Sequence, residues 1–74
     1  MPIIDIVATG LNIKEMLKEK GLTIKDIQKA FGFASVYPIY KWINGKNLPA
    51  IENLVMLAKM MDTTIDDILV VEMK

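Results

Sequence analysis

The stretch FGFASVYPIYKWINGK, residues 31–46, decides how this chain folds. It is aromatic-rich, places a proline between two tyrosines and closes on Asn-Gly. Ser35 can cap a helix. Val36, Tyr37 and Pro38 then fill its first turn, where proline is tolerated because those N–H groups have no intrahelical partner. Ile39, Trp42 and Ile43 point one way, whereas Tyr37, Tyr40, Lys41 and Asn44 point largely elsewhere. Asn44-Gly45 is a helix stop. The stretch therefore reads as a short helix over 35–44, with one apolar face for a core and one face left free.

Working outward, Pro49 opens a further segment. Ile51, Leu54, Val55, Ala58 and Met61 form an i, i+3, i+4 stripe, which predicts a helix over 50–61 buried on that side. Thr64 with Asp67 is a capping box opening a helix over 64–70, and ILVVEM (68–73) turns strand-like. Toward the N-terminus, Thr23-Ile-Lys-Asp26 is another capping box. Ile27, Ala30 and Phe31 share a face and Gly32 ends a helix over 24–31. Asn12 stands three before Glu15 as a cap pair, so a helix is expected over 12–20, ended by Gly21. Ala8-Thr9-Gly10 reads as a break after IIDIV (3–7), a short strand or arm that can pair with the C-terminal segment. Expected is one all-α domain over 1–74, with five helices, a core in 11–69 and residues 1–10 as arm or strand. Ile27, Ile39, Trp42, Leu54 and Ala58 should be buried together.

The chain has 74 residues, 53% of them apolar, enough for a core and against disorder. It has no cysteine and no histidine. That removes disulfides, the usual zinc sites and Cys-His or Ser-His-Asp catalysis. No nucleophile-base pair, metal set or phosphate loop is present, so neither an enzyme nor a cofactor is expected, and no small-molecule substrate. No apolar run approaches the ~20 residues that span a bilayer, and the first residues lack the pattern of a signal peptide. A cytoplasmic, membrane-free protein is expected. Net charge is zero, yet residues 20–47 hold five lysines against Asp26 alone, while 48–74 are acidic. Phosphate binding depends on that local field.

GLTIKDIQKAFGF…PIYKWINGKNLPAIENLVMLAKMMDTTIDDIL resembles the Cro/repressor-like (XRE-type) helix-turn-helix family over about residues 11–69. Thr23, Ile27, Gly32, Ile39, Trp42, Gly45, Pro49, Leu54, Leu57, Ala58, Ile65 and Ile68 fill the family's places in order. Ile24 stands where the family often has a phosphate-contacting Gln, and Gln28 where it usually has Ala. The stretch from Gly32 to Gly45 is one residue longer than the common pattern, which predicts an extended turn around Phe33-Ala34. All nine basic residues are lysines, so bidentate guanidinium contacts to guanine are absent.

The resemblance implies a sequence-specific, double-stranded-DNA-binding transcriptional regulator, with repressor as the expected sign. Helix 35–44 would be the recognition helix in the major groove, and a homodimer would sit on a palindromic site. Val36, Tyr37, Tyr40 and Lys41 are the candidate reading face, and Asn44, Lys46, Thr23 and Lys25 the flanking contacts. On this view Lys46 and the backbone N–H groups of the following turn meet phosphates. Trp42 is read as core in preference to a base-stacking platform. A second reading stays open: a protein-interaction module, such as an antitoxin-like partner or a helix-turn-helix that no longer binds DNA. Zero net charge, the absent arginine and the exposed tyrosines favour it.

Overall fold

Asp5 opens the first helix. Its backbone is extended and its carboxylate accepts the Ala8 N–H at 2.9 Å in the computed structural model, which describes residues 1–74. The order is β1 (Pro2–Ile4), α1 (Ile6–Glu19), α2 (Ile24–Phe31), α3 (Tyr37–Ile43), α4 (Ile51–Met60), α5 (Ile65–Ile68) and β2 (Val71–Met73). Five helices and a terminal two-stranded ribbon match the expected architecture. No helix is long and apolar enough to cross a membrane.

The first helix departs from expectation. It runs through Ala8-Thr9-Gly10, which the sequence marks as a break, because tertiary contacts override weak local propensity there. Thr9 is fully buried and its Oγ1 accepts the Val70 N–H at 2.9 Å. Gly10 lies where α1 crosses α3: a Cβ on it would sit 2.3 Å from the Trp42 carbonyl oxygen. Asn12, expected as a cap, sits mid-helix. Its side-chain amide donates to the carbonyls of Asp67 and Ile68, at 2.8 and 3.0 Å, and so closes the end of α5.

Helix α2 forms where the capping box places it. Thr23 Oγ1 accepts the Asp26 N–H at 3.1 Å and the Asp26 carboxylate accepts the Thr23 N–H at 2.8 Å. Ala30, expected inward, is exposed, while Phe31 is half-buried. Phe31, Phe33 and Trp42 pack as a trio with ring centroids 5.3–5.9 Å apart. The Gln28 amide donates to the Phe33 carbonyl at 3.2 Å, which braces the extended turn. That turn delays α3 to Tyr37. Val36 becomes the N-cap, and Ser35 Oγ accepts the Tyr37 N–H at 3.2 Å from one residue outside it.

In α4 the buried stripe is Leu54, Leu57, Ala58 and, just beyond the helix, Met61; Ile51 and Val55, expected inward, are exposed. Thr64 caps α5 through the Asp67 N–H at 3.1 Å, but the Asp67 carboxylate turns to the Thr63 hydroxyl at 3.4 Å, so the expected capping box is only half formed. Helices α1 to α4 all end the same way. One or two residues past each, the chain takes a left-handed backbone, at Gly21, Gly32, Gly45 and Asp62. That residue and its successor donate to the carbonyls of the last turn, for example Gly45 to Trp42 and Lys46 to Lys41.

The core joins Ile13 and Leu17 of α1, Ile27 of α2, Ile39, Trp42 and Ile43 of α3, and Leu54, Leu57 and Ala58 of α4 to Met61 and Ile68. The five residues expected together are all in it. Strands β1 and β2 pair antiparallel with Pro2 opposite Met73, Ile3 opposite Glu72 and Ile4 opposite Val71. The backbone bonds from Asp5 to Val70 and from Lys74 to Met1 continue this register at both ends.

Candidate nucleic-acid interface

Helix α3 is two-sided. Ile39, Trp42 and Ile43 are buried. Tyr37 and Tyr40 are 67% and 44% exposed, and Asn44 at the helix end is exposed too. These three recur at helical spacing and share one outward stripe. Lys41 is half-buried beside them, with its Nζ 5.5 Å from the centre of the Tyr37 ring. That cation–π contact orders the long lysine chain along the helix surface. Val36, expected in the first helical turn, is a half-buried N-cap with no side-chain capping bond. Ile39 and Ile43 anchor the element from below and the aromatic trio holds Trp42, so the outward stripe rides on a fixed base.

The flanks are built by α2 and the turn after α3. Thr23 and Lys25 are exposed at the start of α2, and Lys46 is exposed in the turn. The first N–H groups of α2, on Ile24 and Lys25, have no intrahelical partner. The turn differs from expectation here. The N–H groups of Gly45, Lys46 and Asn47 all donate to α3 carbonyls, at 2.9–3.4 Å, which leaves that turn's side chains, the exposed Lys46 among them, as its free donors.

Between these elements lies a cleft of about 490 Å³. Tyr40 and Asn44 form one wall, Thr23 and Ile24 another, and Lys14 and Lys18 of α1 the third. Its floor is Leu17, Leu22 and Ile43, and no acidic side chain lines it. The only ion pair in the protein is Lys74 with Glu72 at 3.5 Å, so the lysines of this region are free of partners. Lys14 and Lys18 escaped the sequence reading. Their signal was a four-residue spacing on one helix face, which becomes meaningful only when α1 turns back against the start of α2. The arrangement offers hydroxyls, an amide and cations to an anionic, polar surface, with a single sign of charge at the cleft.

The carboxyl of Asp26 titrates away from its ordinary value. The Thr23 N–H and hydroxyl bonds, helped by nearby Lys29, hold it below the usual carboxylate range against a small opposing effect of burial.

A family model described as the Cro/C1-type HTH DNA-binding domain matches residues 12–74. Among solved structures, the crystal structure of the DNA-binding domain of BldD is similar with a TM-score of 0.73. The identity is 15%, over 89% of this chain and 94% of that one, so this likeness concerns the fold alone. Comparison with curated proteins finds no match.

Proposed function

This chain belongs to the Cro/C1-type HTH DNA-binding domain family, and from that premise we propose that it is a sequence-specific transcriptional regulator that represses by occupying its site as a homodimer. Residues 1–74 act as one domain, in the cytoplasm. Helix α3 enters the major groove. Tyr37, with Val36 beside it, meets base edges first, because the N-terminal end of the second helix reaches them in this motif. Tyr40 and Lys41 extend the contact by one turn. Asn44, Lys46, Thr23, Lys25 and the open N–H groups of α2 hold phosphates and set the register. The observation that carries this reading is the opposition within α3: three buried apolar side chains on one face and Tyr37, Tyr40 and Asn44 on the other. With no arginine available, discrimination rests on tyrosine hydroxyls, the Lys41 ammonium and apolar contact with thymine methyls.

The test is selection from a random duplex pool followed by titration at several salt concentrations. Lys46→Ala should weaken binding to all duplexes alike and lower the salt slope by about one unit. Tyr37→Ala should cost about 1–3 kcal/mol on the selected site and little on random DNA. A folded protein with no salt-dependent binding to any duplex would overturn the reading. The exposed tyrosines and zero net charge would then favour the protein-interaction module.

A further inference from the structure

We infer that the homodimer, on which this inference rests, is built by β2 pairing with β2 of a second copy around a two-fold axis at Glu72, giving one four-stranded antiparallel sheet. The hydrogen-bonding direction of the ribbon carries the argument. Asp5 bonds to Val70 and Lys74 to Met1, so these are the hydrogen-bonded pairs of the ladder. The antiparallel alternation makes Ile3 with Glu72 the pair between them. Pro2, Ile4, Val71 and Met73 therefore direct their backbone groups away from the partner strand.

The two outer edges are unlike. On β1 the first outward position is Pro2, which has no N–H, and the chain enters α1 two residues after Ile4, so that edge is closed. On β2, Val71 and Met73 both keep an N–H and a carbonyl. Neither has a partner among the backbone bonds outside regular elements. Met73 is 75% exposed and Val71 52%. With Glu72 facing its own copy, Val71 of one chain exchanges both bonds with Met73 of the other, and the reverse, and all four outward N–H groups find acceptors.

The charges suit a second copy of this strand. Glu72 facing Glu72 alone would be repulsive. Lys74, however, lies two residues on along the same face and already pairs with its own Glu72. Across the axis each Lys74 becomes the diagonal neighbour of the other copy's Glu72, which closes an alternating ring of four charges. Pro2, Ile4, Val71 and Met73 share the opposite face, and pairing doubles that apolar strip. Such an interface is isologous and closes on itself, so it stops at two copies. It is smaller than a standard protein interface, so the dimer should be weak and concentration-dependent.

The experiment is sedimentation equilibrium of the whole chain without DNA, across micromolar to millimolar concentration, alongside amide exchange. Met73→Pro removes an outward N–H and leaves the β1–β2 ladder intact. It should weaken dimerisation at least about tenfold with an unchanged thermal melt, and Met73→Ala, which keeps the N–H, should weaken it less. In the wild type, the Val71 and Met73 amides should gain protection as concentration rises, while the Ile4 amide does not. A chain that stays monomeric throughout would overturn the inference, and so would a dimer whose Val71 and Met73 amides exchange at a concentration-independent rate. DNA binding is scored separately on a single half-site duplex. A dimer as described without DNA binding would sink only the DNA reading, and DNA binding with an unaffected Met73→Pro dimer would sink only this one.

Discussion

Gly10 stands in the interior of α1, a position where alanine is ordinarily the better residue by about 1 kcal/mol. Here the crossing of α1 and α3 reverses that preference. The atoms a Cβ would meet are the Trp42 and Ile43 carbonyl oxygens, at 2.3 and 3.0 Å, and backbone cannot rotate away as a side chain can. Gly10→Ala should destabilise the protein by about 1–3 kcal/mol in urea unfolding, the usual range for overpacking. Asp26 shows the other kind of residue-scale control. Its folded carboxyl titrates below its unfolded value, so the stability it contributes is complete above the unfolded value and fades as pH falls through the folded one. Asp26→Asn keeps an oxygen for the Thr23 N–H but cannot ionise. The mutant should be less stable than wild type at neutral pH, and the gap should close in strong acid, as urea midpoints at the two pH values will show.

At the scale of the element, four helices share one ending, and only α4 uses a side-chain-bearing residue for it. Asp62 has a φ of 52° and donates its N–H to Lys59, the role glycines fill at the other three ends. A left-handed backbone costs an L-residue roughly 1–2 kcal/mol, less for Asp. Asp62→Gly should therefore raise stability by up to about 1 kcal/mol, read as an upward shift in melting temperature. Such local signals explain what was legible in the sequence. The Thr23-Asp26 capping box and Gly32 bound α2 to the residue, because both act within one turn. What escaped depended on partners far along the chain. Asp5 looked like part of a strand because its neighbours are β-branched. Thr9 and Gly10 looked like a break because Val70 and Trp42, the reasons for them, lie 61 and 32 residues away. In α4, two stripes satisfied the same periodicity, and only packing against the rest of the core selected Leu54, Leu57, Ala58 and Met61 over Ile51 and Val55. The outward tyrosines of α3 were legible because Ile39 and Trp42 fixed the inward direction. The withdrawal of Val36 to the N-cap was not, since it follows from the Gln28-braced turn.

For the whole molecule, charge placement outweighs charge total. The chain is neutral, but five of its nine acidic residues lie in the last third, and the only charged side chains lining its cleft are Lys14 and Lys18. A Lys14→Ala, Lys18→Ala double variant should lower the salt slope of duplex binding by up to about two units. It should leave the ranking of sequences and the thermal melt unchanged, since neither side chain is buried or ion-paired. The terminal ribbon has a consequence for how the molecule comes together in time. Its two strands lie at opposite ends of the chain, so pairing Pro2 with Met73 closes a loop of nearly the entire sequence, a longer closure than any between two helices. Loop-closure entropy must be met before such distant contacts return anything. The helices therefore assemble first and the ribbon zips last, with Thr9 already waiting in α1 to receive Val70. Unfolding runs the film backwards: the ribbon frays while the helical core still stands.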